Sequence, residues 1–317
     1  MDLSARELMR GIRGKRSQVA FSRRLGFRSN VAAKWESGQR MPTACEALRF
    51  SQRVGIDVHS MLSTFHPATA PLLTKLEPAR VAAWLAALRG ARSLAAVAAQ
   101  CGLSRFSVGR FLSGHSEPRV PQFLSLVDAL SGRAPDLLQA WIGIERVPSL
   151  AARYQRARAA REAMFEQPLC LAVMCLLDTR PLQVGAPAQL RALSKCLGRP
   201  ARAIKRCIDI LLRGQVVALE GDRYSLTGSL SIDSNADATR ERDARQYWND
   251  VARSRIRSPT PLDLCSYNVF SVARRDYDKL LQLQREFFRS ARAIVAASEP
   301  TEMAGLLLVN LVGWEPA

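Results

Sequence analysis

The stretch "RSQVAFSRRLGFRSNVAAKWESGQRMP", residues 16–42, decides how the first part of this chain folds. Ser17 is a good helix-capping residue, so a helix opens at Gln18. Phe21 and Leu25 lie one turn apart and point to a common core. Gly26 stands where a helix ends and positive φ is wanted. Ser29 and Asn30 open a second helix, whose inner face is Val31, Ala32 and Trp35. Gly38 ends it and Pro42 prevents its continuation. The stretch therefore reads as helix, turn, helix, loop.

The same pattern returns 76 residues later as "RSLAAVAAQCGLSRFSVGRFLSGHSEP", residues 92–118. Ile12 aligns with Leu88, Phe21 with Val97, Gly26 with Gly102, Trp35 with Phe111 and Gly38 with Gly114. Two copies are a duplication, not a solenoid, which needs three or more. The Pro-rich "HPATAP" at 66–71 reads as a linker between them.

The 317 residues suffice for two or three domains, and a 48% hydrophobic content supports real cores. The formal net charge is +18, which favours nucleic acid or an anionic membrane face as partner. Residues 1–66 carry 12 basic and 5 acidic side chains, and residues 67–148 carry 9 and 5, so the excess is densest at the start. The seven cysteines form no CxxC pair and no zinc spacing, and read as reduced, buried thiols of a cytoplasmic protein. The longest apolar run, "LCLAVMCLL" at 169–177, is too short for a bilayer.

Beyond about residue 150 the pattern changes. Residues 150–178 read as one long helix or two short ones. Residues 187–228 read as helix, turn, helix and two short strands, "QVVALE" and "RYSLTG", around a Gly221-Asp222 turn. That order is a winged helix, at about 180–230. A polar helix is expected at 237–255. An amphipathic one is expected at 274–297, with Tyr277, Leu280, Leu281, Leu283, Phe287 and Phe288 near one face. "MAGLLLVNLVGW" at 303–314 suits a buried strand. The expected fold is mainly α: two tandem helical bundles, 1–66 and 67–148, then an α(+β) domain at 149–317.

Residues 5–62 resemble the λ-repressor-like (XRE-type) helix-turn-helix family. The "SQ", the Leu-Gly turn, the "W-E-x-G" and the following proline stand at that family's spacings. The resemblance implies double-stranded DNA as partner and a second helix lying in the major groove. It assigns Ser29, Asn30, Ala33 and Lys34 to the groove face and Gln18 to a phosphate. Arg28 and Arg40 flank the groove helix and suit phosphate contacts. Asn bonds adenine bidentately, Lys reaches guanine, and Ala33 leaves room for a thymine methyl. Two departures stand out. Arg28 occupies the family's usual capping position, so Ser29 is expected to cap instead. The family pairs the glutamate equivalent to Glu36 with a helix-1 arginine. Gly11 occupies that position, which leaves Arg10 or Arg13 to serve.

The second copy, at about 80–140, is degenerate. Gln18 becomes Leu94, Glu36 becomes Leu112 and Asn30 becomes Phe106. Apolar residues at groove-facing positions suggest docking on protein, while Ser104, Arg105 and Arg110 still fit DNA. Both readings stay open. In the winged-helix segment, Arg199, Arg202, Lys205 and Arg206 suit backbone tracking, although a scaffold role is favoured. The segment 150–317 distantly resembles the C-terminal domain of an uncharacterised bacterial regulator family, which implies dimerisation or sensing of an effector. The 274–297 helix is the expected homodimer seam.

No catalytic motif is evident. His59, His66 and His115 form no HExxH or metal spacing, and there is no GxSxG, P-loop or GxGxxG. No cofactor, metal or membrane partner is implied. The expected function is a sequence-specific transcriptional regulator on a pseudo-palindromic operator. The rivals are a phage-defence or antitoxin-like regulator whose C-terminal domain binds a protein partner, and a non-specific nucleoid-type DNA binder.

Overall fold

The computed structural model describes residues 1–90, 92–227 and 238–314. The chain is mainly helical, with one small antiparallel sheet among the described residues. Contacts divide it into two compact units, Met1–Ala157 and Arg158–Ala317.

The first unit opens with α1 (Asp2–Arg13), α2 (Gln18–Arg24), α3 (Val31–Ser37), α4 (Ala44–Arg53) and α5 (Val58–Phe65). It continues with α6 (Pro78–Arg89), α7 (Leu94–Cys101), α8 (Arg105–Leu112), α9 (Val120–Ser131) and α10 (Ala134–Ile142). The second set of five restates the first at the offset of 76. The same local chemistry starts equivalent helices. Ser17 Oγ accepts from Ala20 N at 3.2 Å, and its counterpart Ser93 accepts from Ala96 N at 3.1 Å. Thr43 and Glu46 form a capping box on α4, and Arg119 N–H donates to Gln122 Oε1 at the start of α9. Gly26 and Gly102 both have positive φ, 90° and 65°, as the turns after α2 and α7 require.

The expected break between bundles at 66/67 is not seen. Residues on both sides share one hydrophobic core, and Ala70 of the expected linker is buried in a short 3₁₀ turn that also buries Leu73 just beyond it. The cause is the apolar faces of α5 and α10, which bury against each other instead of facing water. A row of rings crosses the seam: Phe65–Trp84 at 6.0 Å between centroids, Trp84–Phe123 at 5.9 Å and Phe123–Trp141 at 6.4 Å. Trp141 Nε1 then donates to the buried Ser51 Oγ of α4 at 2.8 Å. Each such ring contributes several kcal/mol of burial, of order 3 kcal/mol. The unit also includes the first turns of α11 (Pro148–Glu166), where Arg153 bonds both oxygens of Asp128 at 2.7 and 2.8 Å. The division thus falls inside a helix, not at 148/149 as expected.

The second unit contains the rest of α11, then α12 (Leu169–Leu177), α13 (Ala186–Leu197) and α14 (Ala201–Arg213). Pro168 separates α11 from α12. Strands β1 (Val217–Glu220) and β2 (Arg223–Leu226) pair Val217 with Leu226 and Glu220 with Arg223 around Gly221, which has φ of 63°. Gly228, the end of the expected second strand, lies outside the described residues. Gln189 of α13 is fully buried and fastens the hairpin: its Nε2 donates to Tyr224 O at 2.9 Å and its Oε1 accepts from Tyr224 N at 2.7 Å. The core comprises Val173, Leu193, Ile204, Ile208, Leu211 and Val217, among others.

Helices α15 (Ala238–Arg257) and α16 (Arg274–Ala297) follow; Asp237, the expected start of α15, lies outside the described residues. The expected buried strand at 303–314 is not formed. That segment has no ladder partner among the described residues, and Met303, Leu306, Leu307, Val312 and Trp314 are exposed. An apolar run with no period of its own depends on a neighbour to make it a strand. The expectation of buried thiols holds for Cys45, Cys170 and Cys207, whereas Cys175, Cys196 and Cys265 are exposed.

Candidate nucleic-acid interface

Helix α3 has one face fastened to the core and one open to solvent. Ala32 and Trp35 are buried, with Trp35 stacked on Phe50 at 5.2 Å between centroids. The buried Ser22 of α2 accepts from Ala32 N at 3.1 Å, which fixes the angle between α2 and α3. At the other end, Glu36 is almost fully buried and carries the ion pair left open by the sequence. Arg13 Nε lies 2.5 Å from Glu36 Oε1 and Arg13 Nη2 lies 3.2 Å from Oε2, while Arg10 Nε stands further off at 3.8 Å. Arg6 and Arg10 also donate to the Glu36 carbonyl, at 2.9 and 3.3 Å, and so satisfy the C-terminal end of the helix.

Gly11 explains why Arg13 serves. A Cβ at position 11 would lie 2.2 Å from Ile142 Cδ1. The helix-1 position used by the resembled family faces α10, so a long side chain has no room there.

The cap of α3 differs from expectation. Asn30, not Ser29, caps it: Asn30 Oδ1 accepts from Ala33 N at 3.3 Å. Arg28 has no acceptor for an N-terminal amide; of the two residues after it that can cap, Ser29 and Asn30, the turn uses Asn30. In the second copy the position equivalent to Arg28 is Ser104, which caps α8 by accepting from Ser107 N at 3.0 Å. Helix α3 therefore starts two residues later than α8 does. Asn30 Oδ1 is consequently engaged at the helix end, so bidentate adenine readout by Asn30 needs the cap to open.

The remaining expected residues divide by exposure. Arg28, Ser29, Lys34 and Arg40 are exposed on or beside the outer face of α3, and Ala33 is half-buried on it. Gln18, expected at a phosphate, is half-buried and its Nε2 donates to Glu36 Oε2 at 2.9 Å, so it is tied into the Glu36 network. Three exposed residues escaped the sequence reading. Ser37 lies one turn beyond Ala33 and Lys34, and Arg23 and Arg24 end α2 beside the turn. The helical period would have found Ser37, and the charge pair would have found the arginines.

On the second copy, Arg105, Phe106 and Arg110 form an exposed face of α8, with the Arg110 guanidinium 5.7 Å from the Phe106 ring centroid. Leu94 and Leu112, expected on the surface, are instead partly buried and packed on the core. Arg89, the counterpart of Arg13, has a buried Nε without a hydrogen-bond partner among the described residues.

In the second unit, Arg202, Lys205 and Arg206 are exposed on the outer face of α14, opposite Ile204, Cys207 and Ile208. Arg199, expected on that helix, lies just before its N-cap, Pro200. Among the described residues no group of three His, Cys, Asp or Glu side chains is placed to hold a metal, and no single helix is long and apolar enough to cross a membrane. Comparison with protein-family models, curated proteins and solved structures finds no match.

Proposed function

We propose that this chain is a sequence-specific DNA-binding transcriptional regulator in which α3 reads the major groove. In this reading the first unit is a pair of λ-repressor-like helical bundles, and α12–α14 with the β1–β2 hairpin are a winged helix. One observation carries it: α3 is bolted to α1 through Glu36 and to α2 through Ser22, while Ser29, Lys34 and the flanking Arg28 and Arg40 stay exposed. A reading helix needs this division, because base contacts are useful only on a rigidly held helix and phosphate contacts set its register. The net charge of +18 supplies the sequence-independent attraction.

The second unit is proposed to self-associate through α16, whose Leu283 and Phe287 stand exposed. The rival, a C-terminal domain that binds another protein, draws on the same exposed face. The test is selection of bound duplexes from a random library by the full chain at two salt concentrations. A motif that survives the higher salt is expected. Binding that vanishes with salt and enriches nothing would leave only a charge-driven DNA binder.

A further inference from the structure

The two copies meet where the loop after α3 pairs with the loop after α8. Ala44 N–H donates to Pro118 O at 2.9 Å, and Val120 N–H donates to Pro42 O at 3.0 Å. Val120 is the counterpart of Ala44, and Pro118 is the counterpart of Pro42. Exchanging the two copies turns one bond into the other. Between them Thr43 and its own counterpart Arg119 form an isolated antiparallel bridge. The same self-pairing holds for whole elements: α5 packs on α10 and α4 on α9, each against its equivalent. Contacts in which i meets j′ and j meets i′ are the mark of a two-fold axis. Here that axis relates two halves of one chain.

The loops joined at this axis, 38–43 and 114–119, are those that directly follow α3 and α8. The two helices therefore flank a common axis, as the reading helices of a dimeric helix-turn-helix protein flank theirs. The degeneracy of the second copy is also mostly internal. Leu94 and Leu112 replace the polar Gln18–Glu36 tie with apolar packing, and they leave the outer face of α8 to Ser104, Arg105, Phe106 and Arg110. Phe106 is 73% exposed, so no part of the first unit covers it. The outer faces differ at matched positions: Ser29 against Arg105, Asn30 against Phe106, Lys34 against Arg110.

We infer that the first unit is a covalent pseudo-dimer in which α8 is a second DNA-reading helix, so that one chain reads one duplex site made of two unequal half-sites. This rests on the proposed DNA-binding role. An arginine in place of Lys34 offers a bidentate fork to guanine, and an exposed phenylalanine suits a thymine methyl, so α8 selects a different half-site from α3.

The experiment is duplex selection by the full chain, repeated with Lys34→Ala and with Arg105→Ala/Arg110→Ala. All three side chains are exposed, so the variants are expected to fold, which circular dichroism checks. The expected motif has two unlike halves with centres about 10 base pairs apart. Lys34→Ala flattens preference in one half only, and the double variant in the other only, each by about 5- to 150-fold at the base concerned. A symmetric motif flattened in both halves by Lys34→Ala overturns the inference, because two chains would then each use α3. A single half-site indifferent to the double variant also overturns it. In both of those results the DNA-binding role stands. If no motif is enriched at either salt concentration, that role and the inference fall together.

Discussion

Arg13 and Glu36 form a two-point ion pair that ties α1 to the end of α3, and the equivalent pair, Arg89 and Leu112, forms none. The same arginine is thus ion-paired in one copy, while in the other its buried Nε has no hydrogen-bond partner among the described residues. The side chains of Arg13 and Glu36 are 22% and 6% exposed, so loss of one partner leaves a poorly solvated charge. Arg13→Met is expected to cost about 2–3 kcal/mol. Arg89→Met removes an unsatisfied donor and is expected to leave stability unchanged or raise it by up to about 1 kcal/mol. Urea midpoints of the two variants check the contrast. Equal losses would refute it.

Gly11 and Ile142 test the shared core of the first unit. Gly11→Ala gains helix propensity of about 1 kcal/mol but sets a methyl against Ile142 Cδ1. Overpacking of that kind costs about 1–3 kcal/mol. In an Ile142→Val background the offending methyl is gone and the nearest remaining approaches are 3.3 Å, so Gly11→Ala should cost less than it does in the native chain. The double-mutant cycle should therefore give a coupling of about 1–2 kcal/mol. Strict additivity would mean that α1 and α10 do not touch.

Arg28 and Arg40 are exposed beside α3 and are proposed to touch phosphates, not bases. Each Arg→Ala change should weaken binding alike on all duplexes and lower the salt slope by about one. Lys34→Ala should instead relax preference at one position. Binding titrations across a salt series separate the two outcomes. A sequence-dependent loss at Arg28→Ala would move that residue from the backbone to the bases.

The order of helices and the repeat were legible because they follow from local chemistry: caps, glycines with positive φ and a spacing of 76. For Glu36 the sequence narrowed the partner to Arg10 or Arg13, and the structure selects Arg13. The cap of α3 was misplaced by one residue, since Ser29 and Asn30 are equally able to cap and the choice is made by the turn. The common core escaped because nothing local distinguishes an apolar face that meets its own bundle from one that meets the copy. For the same reason Leu94 and Leu112 looked like a docking surface while in fact lying partly buried against the core. The 303–314 run was read as a buried strand from composition alone, and composition does not supply a partner strand.

Six of the seven cysteines divide into two classes with distinct behaviour, and Cys101 is intermediate between them. Maleimide should label Cys175, Cys196 and Cys265 in the native chain, and Cys45, Cys170 and Cys207 only on unfolding. Burial pushes the Cys45 thiol up to about 11 from an ordinary 9.0, so its neutral form is the folded one. A raised folded value means that its contribution to stability is complete below pH 9.0 and is lost as pH climbs toward about 11. Cys45→Ala should remove that part of the alkaline decline. Fast labelling of Cys45 at neutral pH would contradict its burial.

Helix α16 presents an apolar groove with the segments beside it, lined by Phe270, Leu280, Leu283, Phe287, Val309 and Leu311. Leu283 and Phe287 are 61% and 49% exposed, more than a lone chain gains by leaving open. If α16 is the proposed self-association surface, wild-type chain should show twice the 35.0 kDa monomer mass by light scattering. Leu283→Glu/Phe287→Glu should return it to one mass without loss of helix, because neither side chain is needed to fill the core. The two-fold axis inside the first unit sharpens the expectation. A chain that carries both reading helices should keep its affinity for a single site when α16 is broken, and should lose cooperative binding only where two sites lie close together. Loss of single-site affinity in the double variant would instead mean that two chains are needed to read one site.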